Sequence, residues 1–432
     1  MHAAADASTE SADRPVGADL RSDESGEPDP TLPEDSERAG QEQAENLSGD
    51  DSPSLPISET STQQSAAPAT NRAGLRVGVV GCGYWGSKHV RVLHTLEMVG
   101  TVAVIDPNPD RALQLSRNYP ALEAYKDLDE AIPHVDAVII ATSPSTHKPL
   151  ALKAIAAGVH VMVEKPLATT AADAREMIAA AKAAGVVLMV GHTFEYHSAV
   201  WQLREMVQNR ELGKLYYLET ARLNLGLYQR DCNVLFDLAP NDVSIVNYVL
   251  GDMPVSVQCW TSRHANPQLE DVAYLRLHYM DPDVTANIHV SWLNPDKVRK
   301  VTMVGSEKMV VFDDLATQER MKVHDKGVSR PPRLVDELTE PPMSYRYGDV
   351  VLPHLVMNEP LMVEDEHFAE CILTGLTPLT SGANGLAVVE VLEAAQMSAR
   401  EGREVLIEEI AGKPEKGSAD QHRETMSRLR GR

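Results

Sequence analysis

Three glycines set the first chemical constraint. Gly81, Gly83 and Gly86 fit G-x-G-x-x-G within 77–86, with Cys82, Tyr84 and Trp85 between them. The residues just before, Val77-Gly78-Val79-Val80, are largely β-branched and apolar, as a central parallel strand requires; Val90, Leu93 and Leu96 recur afterwards at helical spacing. A glycine turn between strand and helix aims backbone N–H groups at an anion. Gly81 permits the tight turn, Gly83 the approach of a pyrophosphate, and Gly86 the packing of helix on strand. Asp106 follows Gly86 by twenty residues, at the end of a second apolar run. A carboxylate there accepts from a ribose 2′-hydroxyl and repels a 2′-phosphate. Pro107 and Asn108 add no cation, and Arg111 is the only one close by. The expected ligand is NAD rather than NADP, contacted by Gly81, Gly83, Tyr84, Trp85, Gly86 and Asp106.

Further reactive side chains sit at strand ends. Thr142, Ser143, Pro144 and His147 follow the apolar run 137–141 and are placed to line the nicotinamide side of a cofactor cleft. Glu164, Lys165 and Pro166 follow the run 159–163, and Gly191-His192-Thr193-Phe194-Glu195-Tyr196-His197 follows 186–190. Open parallel sheets bind ligands at the carboxyl ends of their strands, so Glu164 and Lys165 join the expected cofactor contacts and Lys165 leads the candidates for chemistry. The alternative for Lys165 is a surface pair with Glu164.

These residues need a scaffold. Five apolar strands between 75 and 190, separated by helices, describe a doubly wound parallel sheet. Beyond a helix at 201–210 the period changes: 215–223, 255–261, 271–279, 285–292, 300–305 and 309–313 alternate apolar and polar residues, as antiparallel strands with one wet face do. A helix is expected at about 240–250, a long loop or extended arm at 326–350, and helices at 361–374 and 384–400. The expected fold class is α/β. A Rossmann domain spans 75–195 and an α/β domain with an open, mainly antiparallel sheet spans 196–360. Closing helices over 361–410 pack back on both, between an acidic tail, 1–74, and a polar tail, 411–432.

Composition excludes several partners. The 432 residues carry a formal charge of −23, and the first 74 hold sixteen acidic residues against four Arg, with no Lys and no aromatic residue. Such a tail cannot offset its ordering entropy and is expected to be disordered. Acidity in the tail and in the remainder argues against a nucleic-acid surface and against anionic membranes. No early apolar run resembles a signal sequence and no later one is long and uncharged enough to span a bilayer, so the cytoplasm is the expected location. Cys82, Cys232, Cys259 and Cys371 are widely spaced, which suggests neither a disulfide framework nor a zinc site, and no metal is expected.

Over about 75–405 the chain resembles the glucose-fructose oxidoreductase/inositol dehydrogenase/MocA family of NAD(P)-dependent sugar oxidoreductases. The likeness is carried by Gly81-x-Gly83-x-x-Gly86, Ala141-Thr142-x-Pro144-x-x-His147, Glu164-Lys165-Pro166 and Asp237-Leu-Ala-Pro-Asn241-Asp242. Glu366-x-Phe368 and Gly385-Leu386 before Glu390 complete it. The resemblance implies an active site in the cleft between the domains, a Lys165 that meets the substrate, and a homo-oligomer formed through the open sheet. One position departs from the pattern: the family's D-x-x-x-H, whose histidine serves as acid and base, ends here in Asn241.

Oxidising a secondary alcohol requires its carbinol hydrogen near C4 of the nicotinamide and a base near its hydroxyl. Asn241 hydrogen-bonds but accepts no proton, and loss of a general base costs about a hundred- to ten-thousandfold in rate. A slow enzyme or a replacement base follows, the candidates being Lys165 itself, His192, Tyr196 and His197. Asp237 is read as a substrate contact or a helix cap and Asp242 as a cap. Arg222 is either a contact for a substrate phosphate or carboxylate or an interface or solvent charge. The catalytic set is thus Lys165, Asn241 and Asp237. The expected function is hydride transfer between NAD and a secondary hydroxyl or ketone of a sugar or nucleotide sugar. The alternative is an NAD-binding protein with weakened or lost dehydrogenase activity that acts as a sensor or assembly partner.

Overall fold

The computed structural model describes residues 74–119, 121–229, 231–280, 283–329 and 343–411. The expected acidic tail up to 73 and the polar tail beyond 411 lie outside these residues.

Strands buried on both faces need unbroken apolar runs, and those runs form the first sheet. Along the chain come β1 (Leu75–Val80), α1 (Tyr84–Leu93), β2 (Val99–Ile105), α2 (Pro109–Asn118), β3 (Glu123–Tyr125) and β4 (Ala137–Ile140). Then follow α3 (Pro144–Ala156), β5 (His160–Glu164), α4 (Ala171–Ala184) and β6 (Leu188–Gly191). The strand order is β3-β2-β1-β4-β5-β6, all parallel. This is the doubly wound sheet expected, with one strand more: β3 is a three-residue edge strand whose Glu-Ala-Tyr carries no apolar run to read. Val80, Val138, Ile140 and Val163 fill the core on one face, and Val77, Val79, Ile139 and Met162 the core on the other. Strand order reverses between β1 and β4, so the glycine turn after β1 and the Thr142 segment after β4 border one crevice.

The second sheet follows α5 (Ser198–Gln208). It contains β7 (Leu215–Leu225), then, after α6 (Val234–Leu250), β8 (Ser256–Ser262), β9 (Val272–Met280), β10 (Asp283–Ser291), β11 (Leu293–Gly305) and β12 (Met309–Asp313). β13 (Met321–Ser329), β14 (Ser344–Val351) and β15 (Val405–Leu406), the last after α7 (Pro360–Thr374) and α8 (Gly382–Glu401), complete it. The order is β14-β13-β12-β11-β7-β10-β9-β8-β15, antiparallel except for the β7–β10 pair. One face packs Leu218, Leu277, Ile288 and Met303 against Val243 and Val246 of α6; the other exposes Tyr217, Trp260 and Tyr274.

One expectation is narrowed here and one corrected. Of the two alternatives for 326–350, the flanks follow the extended arm and not the loop, and they are paired: Lys326 pairs with Tyr347 and Val328 with Tyr345 in the β13–β14 ribbon. Every residue of β14 is exposed, so it has no apolar alternation to betray it. The helix expected from about 240 begins at Val234, capped by Asn233, whose side chain accepts from the Phe236 N–H; Pro240 lies inside it. α8 joins the two halves, with Val389 in a core of the first sheet and Val388, Val391 and Leu392 in the core of the second. Among the described residues, no helix is long and apolar enough to cross a membrane.

Candidate active site

The glycine turn has the geometry a pyrophosphate needs. Gly81 has φ +87°, the left-handed region open to glycine. A Cβ on Gly86 would stand 1.9 Å from the Gly81 carbonyl oxygen, whereas one on Gly83 would meet nothing within 4 Å. That open volume faces a helix start without a side-chain cap, so the first-turn N–H groups of α1 stay available to an anion. Asp106 is buried against the turn, its Oδ2 accepting from the Cys82 N–H at 2.8 Å and its Oδ1 from the Asn108 N–H at 2.9 Å. The Arg111 guanidinium lies 3.3 Å away. These residues fit a dinucleotide.

A cavity of about 470 Å³ lies between the carboxyl end of the first sheet, α6 and the β11–β13 side of the second sheet. It brings together Tyr84, Trp85, Glu164, Lys165, Asp237 and Asn241 from the expected site. Gly81, Gly83, Gly86, Asp106, Thr142, Ser143, Pro144 and His147 are not in its lining. At its centre Lys165 Nζ donates to the Asp237 carbonyl oxygen at 2.6 Å and lies 3.4 Å from Asp237 Oδ1, while Trp292 Nε1 donates to Asp237 Oδ2 at 2.9 Å. Asp237 therefore spends its carboxylate on lysine and indole, and the cap is Asn233. Asn241 lines the cavity one helical turn on, with Nδ2 donating to Leu238 O at 3.3 Å.

The neighbouring Glu164 is taken up by His89 and accepts only the main-chain N–H of Lys165, while Lys165 Nζ goes to Asp237, so the Lys165–Glu164 surface pair does not form. Glu164 Oε1 meets His89 Nε2 at 3.0 Å, and His89 Nδ1 meets Asp365 Oδ1 at 2.8 Å, all three buried. Burial opposes charge on His89, but Asp365 and Glu164 outweigh it and hold its pKa well above 6.5. Burial would raise Glu164, yet His89 keeps it lowered. Glu364 alongside, accepting from Thr193 Oγ1 at 2.8 Å, is pushed well up by burial and by Glu164 and Asp365. Sequence reasoning missed His89, Glu364 and Asp365; the acids stand in a polar run, Glu364-Asp365-Glu366-His367, that gives no sign of which of them are buried.

The proposed replacement bases separate clearly. His192 is buried, and among the described residues neither ring nitrogen has a hydrogen-bond partner; burial lowers its pKa to about 3. Tyr196 is buried on Thr380, its hydroxyl pushed well up by burial. His197 lines the cavity, but its Nδ1 accepts from the Ala199 N–H, which leaves the proton on Nε2 facing Asp314 at 3.5 Å. His147 is a brace: both ring nitrogens face carbonyls, Pro166 O at 2.9 Å and Thr142 O at 3.0 Å. Thr142 accepts from the Thr146 hydroxyl, while Ser143 and Pro144 start α3. Arg222 is neither solvent nor free: its Nε lies 2.6 Å from Asp242 Oδ2 inside the core, so Asp242 is an ion-pair partner rather than a cap.

Comparison with known proteins agrees with this geometry. Residues 75–192 match the oxidoreductase family described as having an NAD-binding Rossmann fold, and 200–311 match the GFO/IDH/MocA C-terminal domain. D-apiose dehydrogenase of Paraburkholderia graminis is 24% identical over 365 residues, covering 81% of this chain and 94% of that protein. Myo-inositol 2-dehydrogenase of Thermotoga maritima is 26% identical, covering 78% and 100%. Among solved structures, GenD2 from gentamicin A biosynthesis in complex with NAD is 26% identical with a TM-score of 0.65, covering 80% and 99%. Nothing in these relatives supports a chain that has lost its activity.

Proposed function

The chain belongs to the Gfo/Idh/MocA oxidoreductase family and is an NAD-dependent enzyme, and on that premise we propose that its cavity oxidises a ring hydroxyl of a sugar, cyclitol or nucleotide sugar, or reduces the corresponding ketone. The observation that carries this reading is Lys165 Nζ, held 2.6 Å from the Asp237 carbonyl oxygen at the seam of both sheets. Gly81, Gly83, Tyr84, Trp85, Gly86 and Asp106 hold the dinucleotide, with Thr142, Ser143, Pro144, His147 and Glu164 shaping the crevice. NAD, when bound, supplies the hydride acceptor. Lys165 donates to the reacting oxygen and lowers the cost of charge on it. Nζ first gives a proton to Asp237 Oδ1, and the lone pair this frees takes the hydroxyl proton, so Asp237 ends protonated and Lys165 returns to its ammonium form. Asn241 fixes the substrate's orientation by hydrogen bonding. The enzyme works in the cytoplasm as a homo-oligomer joined through the face that exposes Tyr217, Trp260 and Tyr274. Purified protein with NAD and a panel of sugars, cyclitols and nucleotide sugars tests the reading by NADH formation. Lys165→Ala should abolish turnover while NADH still binds, and full turnover by that variant would overturn the assignment.

A further inference from the structure

The cavity wall built by the second sheet is unusually cationic for so acidic a chain. Arg222 on β7 and Arg299 on β11 are directly opposed across the strands, an arrangement that like charges disfavour. Asp242 offsets Arg222 at 2.6 Å, and Asp314 offsets Arg299 at 3.4 Å while also facing His197. Two cations remain. Lys297, two residues before Arg299, and Arg320, at the head of β13, both line the cavity and make no ion pair among the described residues. Four cations thus share two carboxylates on one wall of a chain whose net charge is −23. Burial, and then Arg299, lower the pKa of Lys297, as expected for a cation with too few counterions. The glycine turn, on the other sheet, already accounts for a dinucleotide's phosphates.

We propose that Lys297 and Arg320, with the Asp314-paired Arg299 two residues beyond Lys297 on β11, form a subsite for an anionic group, a carboxylate or a phosphate, carried by the substrate away from its reacting hydroxyl. Arg222, the cation that stands out in the sequence, is committed to Asp242 and shapes the wall instead. The guanidinium of Arg320 suits bidentate contact with either anion, and Lys297 adds a movable point charge. This rests on the proposed function, because it takes the cavity to be the substrate site.

The test uses full-length protein loaded with NADH and four probes: glucose, glucuronate, glucose 6-phosphate and UDP-glucose. The expected result is a rise in melting temperature with at least one anionic probe and none with glucose at equal concentration. Glucuronate and glucose 6-phosphate distinguish carboxylate from phosphate, and UDP-glucose distinguishes a diphosphate linker from a terminal phosphate. In the Lys297→Gln/Arg320→Gln variant the rise should vanish, the apparent affinity falling about ten- to a hundredfold for two lost charge-assisted contacts. Lys297→Arg/Arg320→Lys should restore most of it. Far-UV circular dichroism and unchanged NADH affinity establish that the double variant is folded. Equal stabilisation by glucose, no stabilisation by any anionic probe, or a rise that survives the double substitution overturns the subsite. These outcomes are read from binding, so full turnover by Lys165→Ala would overturn the assigned reaction without deciding the subsite.

Discussion

Asp237→Asn separates positioning from proton transfer at this site. The substitution is nearly isosteric. Lys165 keeps its 2.6 Å bond because that acceptor is the main-chain carbonyl, and Trp292 Nε1 can still donate to an amide oxygen where it now donates to Oδ2 at 2.9 Å. What disappears is the carboxylate 3.4 Å from Nζ. As an ion pair with side chains 14% and 20% exposed, it contributes about 1 kcal/mol to stability after screening, so the fold should survive. As the final proton acceptor, its loss should cost about a hundred- to ten-thousandfold in kcat, roughly 3–5 kcal/mol in the barrier. The assay is steady-state NADH formation on the best substrate, with the NADH dissociation constant from fluorescence titration. The expected result is a collapsed kcat with unchanged NADH affinity and a small drop in melting temperature. A kcat within about threefold of the unsubstituted enzyme, with folding intact, would refute Asp237 as the acceptor.

Asn241→His should change kcat by less than about tenfold, since Asp237 already takes the proton; a gain of a hundredfold or more would move that step to position 241. Gly83→Ala and Gly86→Ala should part company. The first fills the open volume facing the α1 amides and should weaken NADH binding at an unchanged melting temperature. The second drives a methyl to 1.9 Å from the Gly81 oxygen and should lower the melting temperature as well. Glu195, buried and held by Asn384, has its pKa pushed up from 4.5 to about 8. The folded state therefore binds the extra proton between those values, and stability falls as pH rises through that window. Glu195→Gln should melt with the parent near pH 5 and above it near pH 8.5, a gap of several kcal/mol if the shift is fully expressed; a constant difference across pH would contradict this.

The first sheet was legible because its strands are buried twice over: 137–141 and 159–163 read as largely apolar runs whatever packs on them. β3 was not, since an edge strand of Glu-Ala-Tyr owes its conformation to β2 rather than to its own side chains. Pro240 misplaced the start of α6, because proline favours first turns and the true cap, Asn233, is an ordinary polar residue in sequence. Lys165 and Asp237 were singled out individually, but their contact joins β5 to α6 across 72 residues and no local pattern carries it. The same holds for His89, Glu164 and Asp365, contributed by α1, β5 and α7.

Glu164 and Lys165 are adjacent and line the same cavity, but the acid is already engaged with His89. The lysine must therefore find its counter-charge on the other half of the molecule, at Asp237. The ion pair works as an interlock: it closes only when the nucleotide-holding half and the sheet-bearing half are seated in one alignment. Grafting a relative's second half onto residues 75–195 would preserve NADH binding unconditionally, whereas turnover would return only in chimeras whose α6 presents a carbonyl and a carboxylate at that same point.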